Sequence, residues 1–281
     1  MIDLQNIHFG YTKKRTLFRE LNLQLAGGHV YGLLGKNGAG KTTLLKVMSG
    51  LRFTTNGSVS VLNENPALRK PKMLREIFFL PEELYTPALK VKEFVKAYAS
   101  FYPNFDYAQF QQYLDILEIE DQEQKIDKMS FGQKKKVLIA FALACNTKIL
   151  IMDEPTNALD IPSKAIFRKL MASIATEDRI VVISTHQVRD LHSLIDAIIV
   201  LDSGRIILNE SVETITEKLS FEVMENTENA PNILYEEDNV RGKLVVRENT
   251  EEKDTKLDIE LLFNAIILNK EKIQHIFNPK K

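Results

Sequence analysis

The 281-residue chain carries 37 basic and 38 acidic side chains, and 44% of its residues are hydrophobic. A formal charge of −1 gives no bulk attraction for a polyanion, so no nucleic-acid partner is expected. One cysteine rules out an internal disulfide and fits a reducing compartment, and no apolar run approaches the ~20 residues that a membrane helix needs.

The opening MIDLQNIHFGY alternates like a strand and lacks the character of a secretory signal. LNLQLAGGHVYGLLG supplies two more strands about the Gly27-Gly28 turn. From Gly32 to Gly50 the sequence reads GLLGKNGAGKTTLLKVMSG, an apolar run, a glycine-rich turn and an amphipathic helix. Gly35, Gly40, Lys41 and Thr42 meet the pattern G-x-x-x-x-G-K-[ST]. In such a loop, here Gly35-Lys36-Asn37-Gly38-Ala39-Gly40, exposed N–H groups and the following helix N-terminus cradle the phosphates of a nucleoside triphosphate. Lys41 is expected to reach the β- and γ-phosphates and the Thr42 hydroxyl to ligate Mg²⁺, with Thr43 next on the helix.

GSVSVL, residues 57–62, is another short strand, and the early strands should be antiparallel. From Pro66 to Asn146 the pattern is mostly helical, broken by IFFLPEE. The aromatics of residues 92–117 have near-helical spacing and are expected to form the core and a partner-facing groove of a helical subdomain, at about 85–146. Cys145 ends the apolar run VLIAFALAC and should be buried.

Three apolar runs follow, KILIMDEP, RIVVIST and DAIIVLDSG, alternating with helical segments. Continuous apolar strands of this kind predict a parallel sheet in an α/β fold. Ligands gather at the carboxyl ends of such strands, where Asp153 and Glu154 stand. Asp153 is expected to hold Mg²⁺ through water, and Glu154 to polarise an attacking water as general base. After Leu219 the character changes. Residues 222–256 hold ten acids against five bases, and LDIELLFNAIILNKEKIQHIF has helical spacing, so 219–281 reads as a small α+β accessory domain. His8, His29, His192 and His275 show no metal-ligand spacing and are expected to be structural or at the surface.

Discrimination among phosphate-loop enzymes comes from MSFGQKKK, Met129 to Lys136, which resembles the L-S-G-G-Q signature of the ATP-binding cassette family. Other pieces follow the family's order over residues 1–218. Tyr11 follows the first strand, NALD spans Asn157 to Asp160, and STHQ carries His186. The resemblance implies a mixed sheet with an antiparallel β subdomain and a helical subdomain. It implies that Tyr11 stacks on adenine, that His186 senses the γ-phosphate, and that Ser130, Gly132 and Gln133 face the ATP held by a second subunit. Asp160 then helps to join the two halves. Ser130 is in any case a good N-cap for the helix that follows.

Two positions depart from the family pattern. Phe131 stands where glycine is common, either packing or touching the partner subunit. Glu82 replaces a magnesium-facing glutamine, and either ligates Mg²⁺ or points to solvent. Lys134, Lys135 and Lys136 are read as a solvated basic face for at least two of the three. The expected role is the ATPase subunit of a transporter, exporter-type by resemblance, cytoplasmic and peripheral on the inner face of the membrane. Its partners would be a second copy or a homologous subunit, and an integral-membrane permease. The alternatives are a soluble family member acting on ribosomes, which usually carries two cassettes, and a chromosome ATPase, which needs long inserted coiled coils. A GTPase would want an N-K-x-D element, which is missing.

Overall fold

The computed structural model describes residues 1–12, 15–186, 193–227 and 231–277. His192 therefore lies outside the described residues.

Strand β1 (Ile2–Thr12) buries Ile2, Leu4, Ile7 and Phe9 on one face and pairs antiparallel with β2 (Arg15–Leu25). β3 (His29–Leu34) leaves this sheet and runs through residues 35–40 into α1 (Lys41–Met48). β4 (Asn56–Val61) returns to the other edge of β1, so the first sheet has the order β2-β1-β4. The short helix α2 (Pro71–Leu74) leads into β5 (Ile77–Leu80). Then come α3 (Val91–Tyr98), α4 (Tyr107–Ile116) and α5 (Phe131–Ala144). β6 (Ile149–Asp153), α6 (Ile161–Ile174), β7 (Ile180–Ser184), β8 (Ala197–Asp202) and β9 (Arg205–Ser211) complete a six-stranded sheet of order β5-β6-β7-β3-β8-β9. Its pairings are parallel except that between β8 and β9.

The continuous apolar strands are explained by burial on both faces. Ile149, Ile151, Ile180, Val182, Ile199 and Leu201 pack with α1 and the β2-β1-β4 sheet. Their alternates Leu150, Met152, Val181, Ile183, Ile198 and Val200 join the helical side. Each fully buried aliphatic side chain contributes about 1.5–3 kcal/mol, so neither face tolerates a charge.

Many aromatics of the helical region form its core. Phe141 on α5 is surrounded by the rings of Phe78, Phe94, Tyr102, Phe105 and Phe110, with centroids 4.9–6.2 Å away. Tyr85, Tyr98 and Phe101 stay exposed, and Tyr85 and Tyr98 border an apolar groove. Cys145 is buried, and burial pushes its thiol up, which makes it unreactive.

The chain ends in α7 (Val212–Lys218), β10 (Leu219–Met224), β11 (Ile233–Asn239), β12 (Gly242–Glu248), α8 (Ile259–Leu268) and α9 (Lys270–Phe277). The three strands form an antiparallel sheet of order β10-β12-β11. Leu219, Val246, Ile259, Ile266 and Ile273 belong to the same apolar cluster as the helical side of the large sheet. Lys270 pairs with Asp202 at the end of β8, and Lys218 donates to the carbonyls of Ile276 and Phe277 at 3.2 and 3.4 Å. No helix among the described residues is long and apolar enough to cross a membrane.

Candidate nucleotide site

The register of the large sheet builds the site. Leu33 on β3 lies opposite Ser184 on β7, and Ser184 lies opposite Asp153 on β6. Three strands thus deliver the glycine-rich loop, Ser184 and the two acids to one rim, the carboxyl end where ligands collect.

A cleft of about 540 Å³ opens there, within the usual size of small-molecule sites. Its lining includes Tyr11, Lys36, Asn37, Gly38, Gly40, Lys41, Thr42, Thr43, Glu82, Asp153, Glu154 and His186. Gly35 and Ala39 belong to the same loop without lining the cleft. A Cβ on Gly35 would lie 2.5 Å from the Leu201 carbonyl oxygen, so the loop needs glycine there. Gly40 has φ +107°, and a Cβ would meet the Phe18 ring at 2.8 Å. α1 has no side-chain N-cap, so its first N–H groups remain for an anion. Lys41, nearly buried, donates to the Gly35 carbonyl at 2.8 Å.

The acids are held in different ways. Asp153 accepts from the Thr42 hydroxyl at 2.6 Å through one oxygen and from the Ser184 hydroxyl at 2.5 Å through the other. Glu154 sits at φ +47°, a left-handed conformation rare outside glycine, with its N–H donating to the Ser184 carbonyl. Its carboxylate meets Nδ1 of His186 at 2.9 Å and accepts the His186 N–H at 3.3 Å. Glu82 accepts from the Asn157 amide at 3.0 Å. The Thr42 hydroxyl and the carboxylates of Asp153 and Glu82 are oxygen donors, the set that Mg²⁺ prefers, so the residues fit that ion. Among the described residues no group of three or more His, Cys, Asp or Glu is placed for a metal.

Tyr11 is half exposed, its hydroxyl 2.6 Å from that of Thr43 and its ring under the Arg52 guanidinium at 5.9 Å. Ser130, Gly132, Gln133 and Asp160 do not line this cleft. Ser130 and Gln133 form a capping box at the start of α5, with Ser130 Oγ accepting the Gln133 N–H at 3.2 Å and Gln133 Oε1 accepting the Ser130 N–H at 3.0 Å. Asp160 caps α6 by accepting from Ser163 N–H at 2.9 Å, and hydrogen bonds from the Ser163 side chain and N–H, with Lys136 nearby, hold its carboxyl below the usual range. Phe131 is about half exposed.

Of the three lysines, Lys134 and Lys136 are partly exposed, in line with a solvated basic face for two of them, whereas Lys135 is fully buried. On α5 it falls on the inward side, one turn from Ile139 in the core. Ser184, Arg15 and Leu17 also line or support the site without having been singled out. Ser184 had a signal, as the hydroxyl that closes the apolar run RIVVIS. Arg15 and Leu17 had none, since they reach the cleft only through the β1–β2 pairing.

Residues 18–157 match the family model described as ABC transporter. The chain belongs to the ATP-binding cassette family. An ABC transporter ATP-binding protein of Methanocaldococcus jannaschii is 27% identical over 89% of this chain and 92% of its own length. The bacitracin transport ATP-binding protein BcrA of Bacillus licheniformis is 32% identical over 66% of this chain and 62% of its own. Among solved structures, the cassette MJ0796, dimeric and bound to ADP and Pi in a post-hydrolysis state, superposes with a TM-score of 0.67 at 26% identity, over 75% of this chain and 99% of that one. The cassette described here is therefore an ATPase, built on the phosphate-loop fold of that family.

Proposed function

We propose that this cassette is the ATP-hydrolysing subunit of a membrane transporter, and that two copies, or one copy and a homologue, close around two ATP molecules to move a separate permease. The observation that carries the chemistry is the pairing of Glu154 with His186, beside the Thr42–Asp153 contact in one cleft. Lys41 and the N–H groups of residues 35–43 bind the phosphates. Tyr11 offers its exposed ring to adenine. Glu154 takes the proton of the attacking water, and His186 orients that carboxylate and meets the γ-phosphate. Mg²⁺, held by Thr42, Asp153 and Glu82, would neutralise the triphosphate's charge.

Ser130, Gly132, Gln133 and Asp160 lie away from the cleft, which supports their use by the partner subunit's nucleotide. ATP then favours the closed dimer and hydrolysis releases it, a population shift driven by γ-phosphate contacts. The apolar groove bordered by Tyr85, Tyr98 and Tyr102 is the face offered to the permease, which keeps the cassette at the inner surface of a membrane. Relatives include a Nod factor exporter subunit of Burkholderia orbicola and a molybdate importer subunit of Haemophilus influenzae. The exporter reading rests on the resemblance of the Leu-Pro-Glu-Glu segment at residues 80–83 and the C-terminal extension.

Affinity capture tests this reading. A tagged Glu154→Gln variant, with ATP and Mg²⁺ present, is used to capture partners from gently solubilised native membranes. A polytopic membrane protein at near-equal stoichiometry is expected. Ribosomes or soluble factors without any membrane protein would overturn the transporter assignment and leave the ATPase chemistry intact.

A further inference from the structure

Lysine is among the residues least often fully buried, and Lys135 is completely so. An ammonium has three donors, and burying it without partners is costly. Here Nζ lies 3.4 Å from the Pro81 carbonyl oxygen and 3.4 Å from that of Glu82, two consecutive peptide groups of the segment that follows β5. Glu82 is the residue whose carboxylate lines the nucleotide cleft. The same carboxylate accepts from Asn157 at 3.0 Å. Main chain and side chain of Glu82 are thus fastened from two directions, by α5 beneath and by the segment after β6.

The charge balance agrees with this. The carboxylates of Glu82, Asp153 and Glu154 line the cleft in front of the Lys135 ammonium. These three acids crowd one rim, and Lys135 is a cation placed behind them, separate from Lys41 in the phosphate loop.

We propose that Lys135 is a positioning residue for the bound divalent cation. By holding the Pro81 and Glu82 carbonyls it sets where the Glu82 carboxylate meets the metal. This rests on the reading of Glu82 as a metal ligand. Partners of metal ligands typically contribute 10–100-fold in metal affinity, so an effect of about tenfold is expected from removing the ammonium.

The test uses the full chain in a Glu154→Gln background, loaded with ATP so that turnover is slow. Mn²⁺ replaces Mg²⁺ and its binding is followed by electron paramagnetic resonance. Lys135→Met keeps the apolar stem and removes the donor. It is expected to weaken Mn²⁺ binding about tenfold. In a Glu82→Ala background, where no carboxylate remains to be positioned, the same change should alter affinity by less than about twofold.

Equal losses in both backgrounds, or no loss in either, would overturn the role of Lys135 and leave Glu82 as a ligand, provided that Glu82→Ala alone weakens Mn²⁺. If Glu82→Ala leaves Mn²⁺ binding unchanged, the ligand assignment falls and this inference falls with it. A purely structural lysine would lower the thermal midpoint without this dependence on background. Should Lys135→Met not fold, Lys135→Gln replaces it. Its shorter side chain cannot span both carbonyls, and the same background-dependent loss, smaller in size, is expected.

Discussion

At the scale of single residues, the nucleotide site is a set of groups in contact with one another. Lys41 rests on the Gly35 carbonyl, and Thr42 on Asp153. A charge-assisted bond from Lys41 to a phosphate is stronger than one to a neutral carbonyl. Lys41→Ala is expected to abolish tight ATP binding while the fold persists, measured by fluorescence titration with a labelled ATP analogue. Normal affinity in that variant would refute the phosphate-loop assignment. Glu82→Gln keeps an oxygen toward the metal and the backbone that Lys135 holds. Magnesium-dependent turnover should stay within a few-fold of the parent chain, as read by phosphate release. A complete loss would mean that the negative charge itself is required.

Elements owe their ends to particular side chains. Asp258 accepts from the N–H groups of Glu260 and Leu261 at 2.9 and 3.1 Å and so starts α8, whose buried Leu262, Ala265 and Ile266 anchor the C-terminal region. Asp258→Ala should lower stability by about 1 kcal/mol in urea unfolding, since loss of an N-cap costs roughly 0.5–2 kcal/mol. A charge network runs across β10 and β12. Burial alone would raise Glu222, but hydrogen bonds to Arg247 and Lys253 outweigh it and hold the carboxyl below its ordinary value. Asp202 behaves alike. Burial is outweighed by the hydrogen bonds of Lys270 and Ser203, and the carboxyl lies below its ordinary value.

Folded-state values below the unfolded ones mean that the unfolded chain binds more protons as pH falls. The stabilisation is therefore complete above the ordinary carboxylate range near 4, and is lost as pH drops below it through the depressed values. Urea midpoints should be flat from neutrality down to about pH 5 and fall below about pH 4, less steeply in Glu222→Gln. A midpoint that rose on acidification would contradict the ion-pair description.

The whole molecule keeps the nucleotide cleft and the capped start of α5 apart within one copy. The cleft gathers the loop, Glu154 and His186, whereas the capped start of α5 lies elsewhere. In the proposed reading a second copy would bring them together. Glu154→Gln should bind ATP and run as a dimer on a sizing column with ATP and Mg²⁺, returning to monomer when EDTA removes the metal. General-base loss commonly slows chemistry by ~10²–10⁴-fold, long enough for the dimer to survive the column. A variant that stays monomeric would sink the sandwich for the isolated subunit.

Much of this was legible in the chain itself, because each signal is local. The glycine-rich loop must have φ values and clearances that glycine alone supplies, so Gly35 and Gly40 declare themselves. The apolar runs of β6, β7 and β8 declare a sheet covered on both faces, and the acids after ILIM stand at its carboxyl edge. The cap at Ser130 was equally visible, since an N-cap is set by one side chain and the residues three positions on.

What the sequence could not settle depended on which residues share a neighbour across the fold. Ser184 becomes a partner of Asp153 only through the β6–β7 register. Lys135, one of three consecutive lysines, differs from its neighbours only because α5 turns that position toward the segment after β5. A charge run reads as solvated until a helix face is packed, because the cost of burying an ammonium is offset by carbonyls 53 and 54 residues away in the chain. Local chemistry fixed the nucleotide loop, and only long-range packing decided which lysine would stand behind the acids.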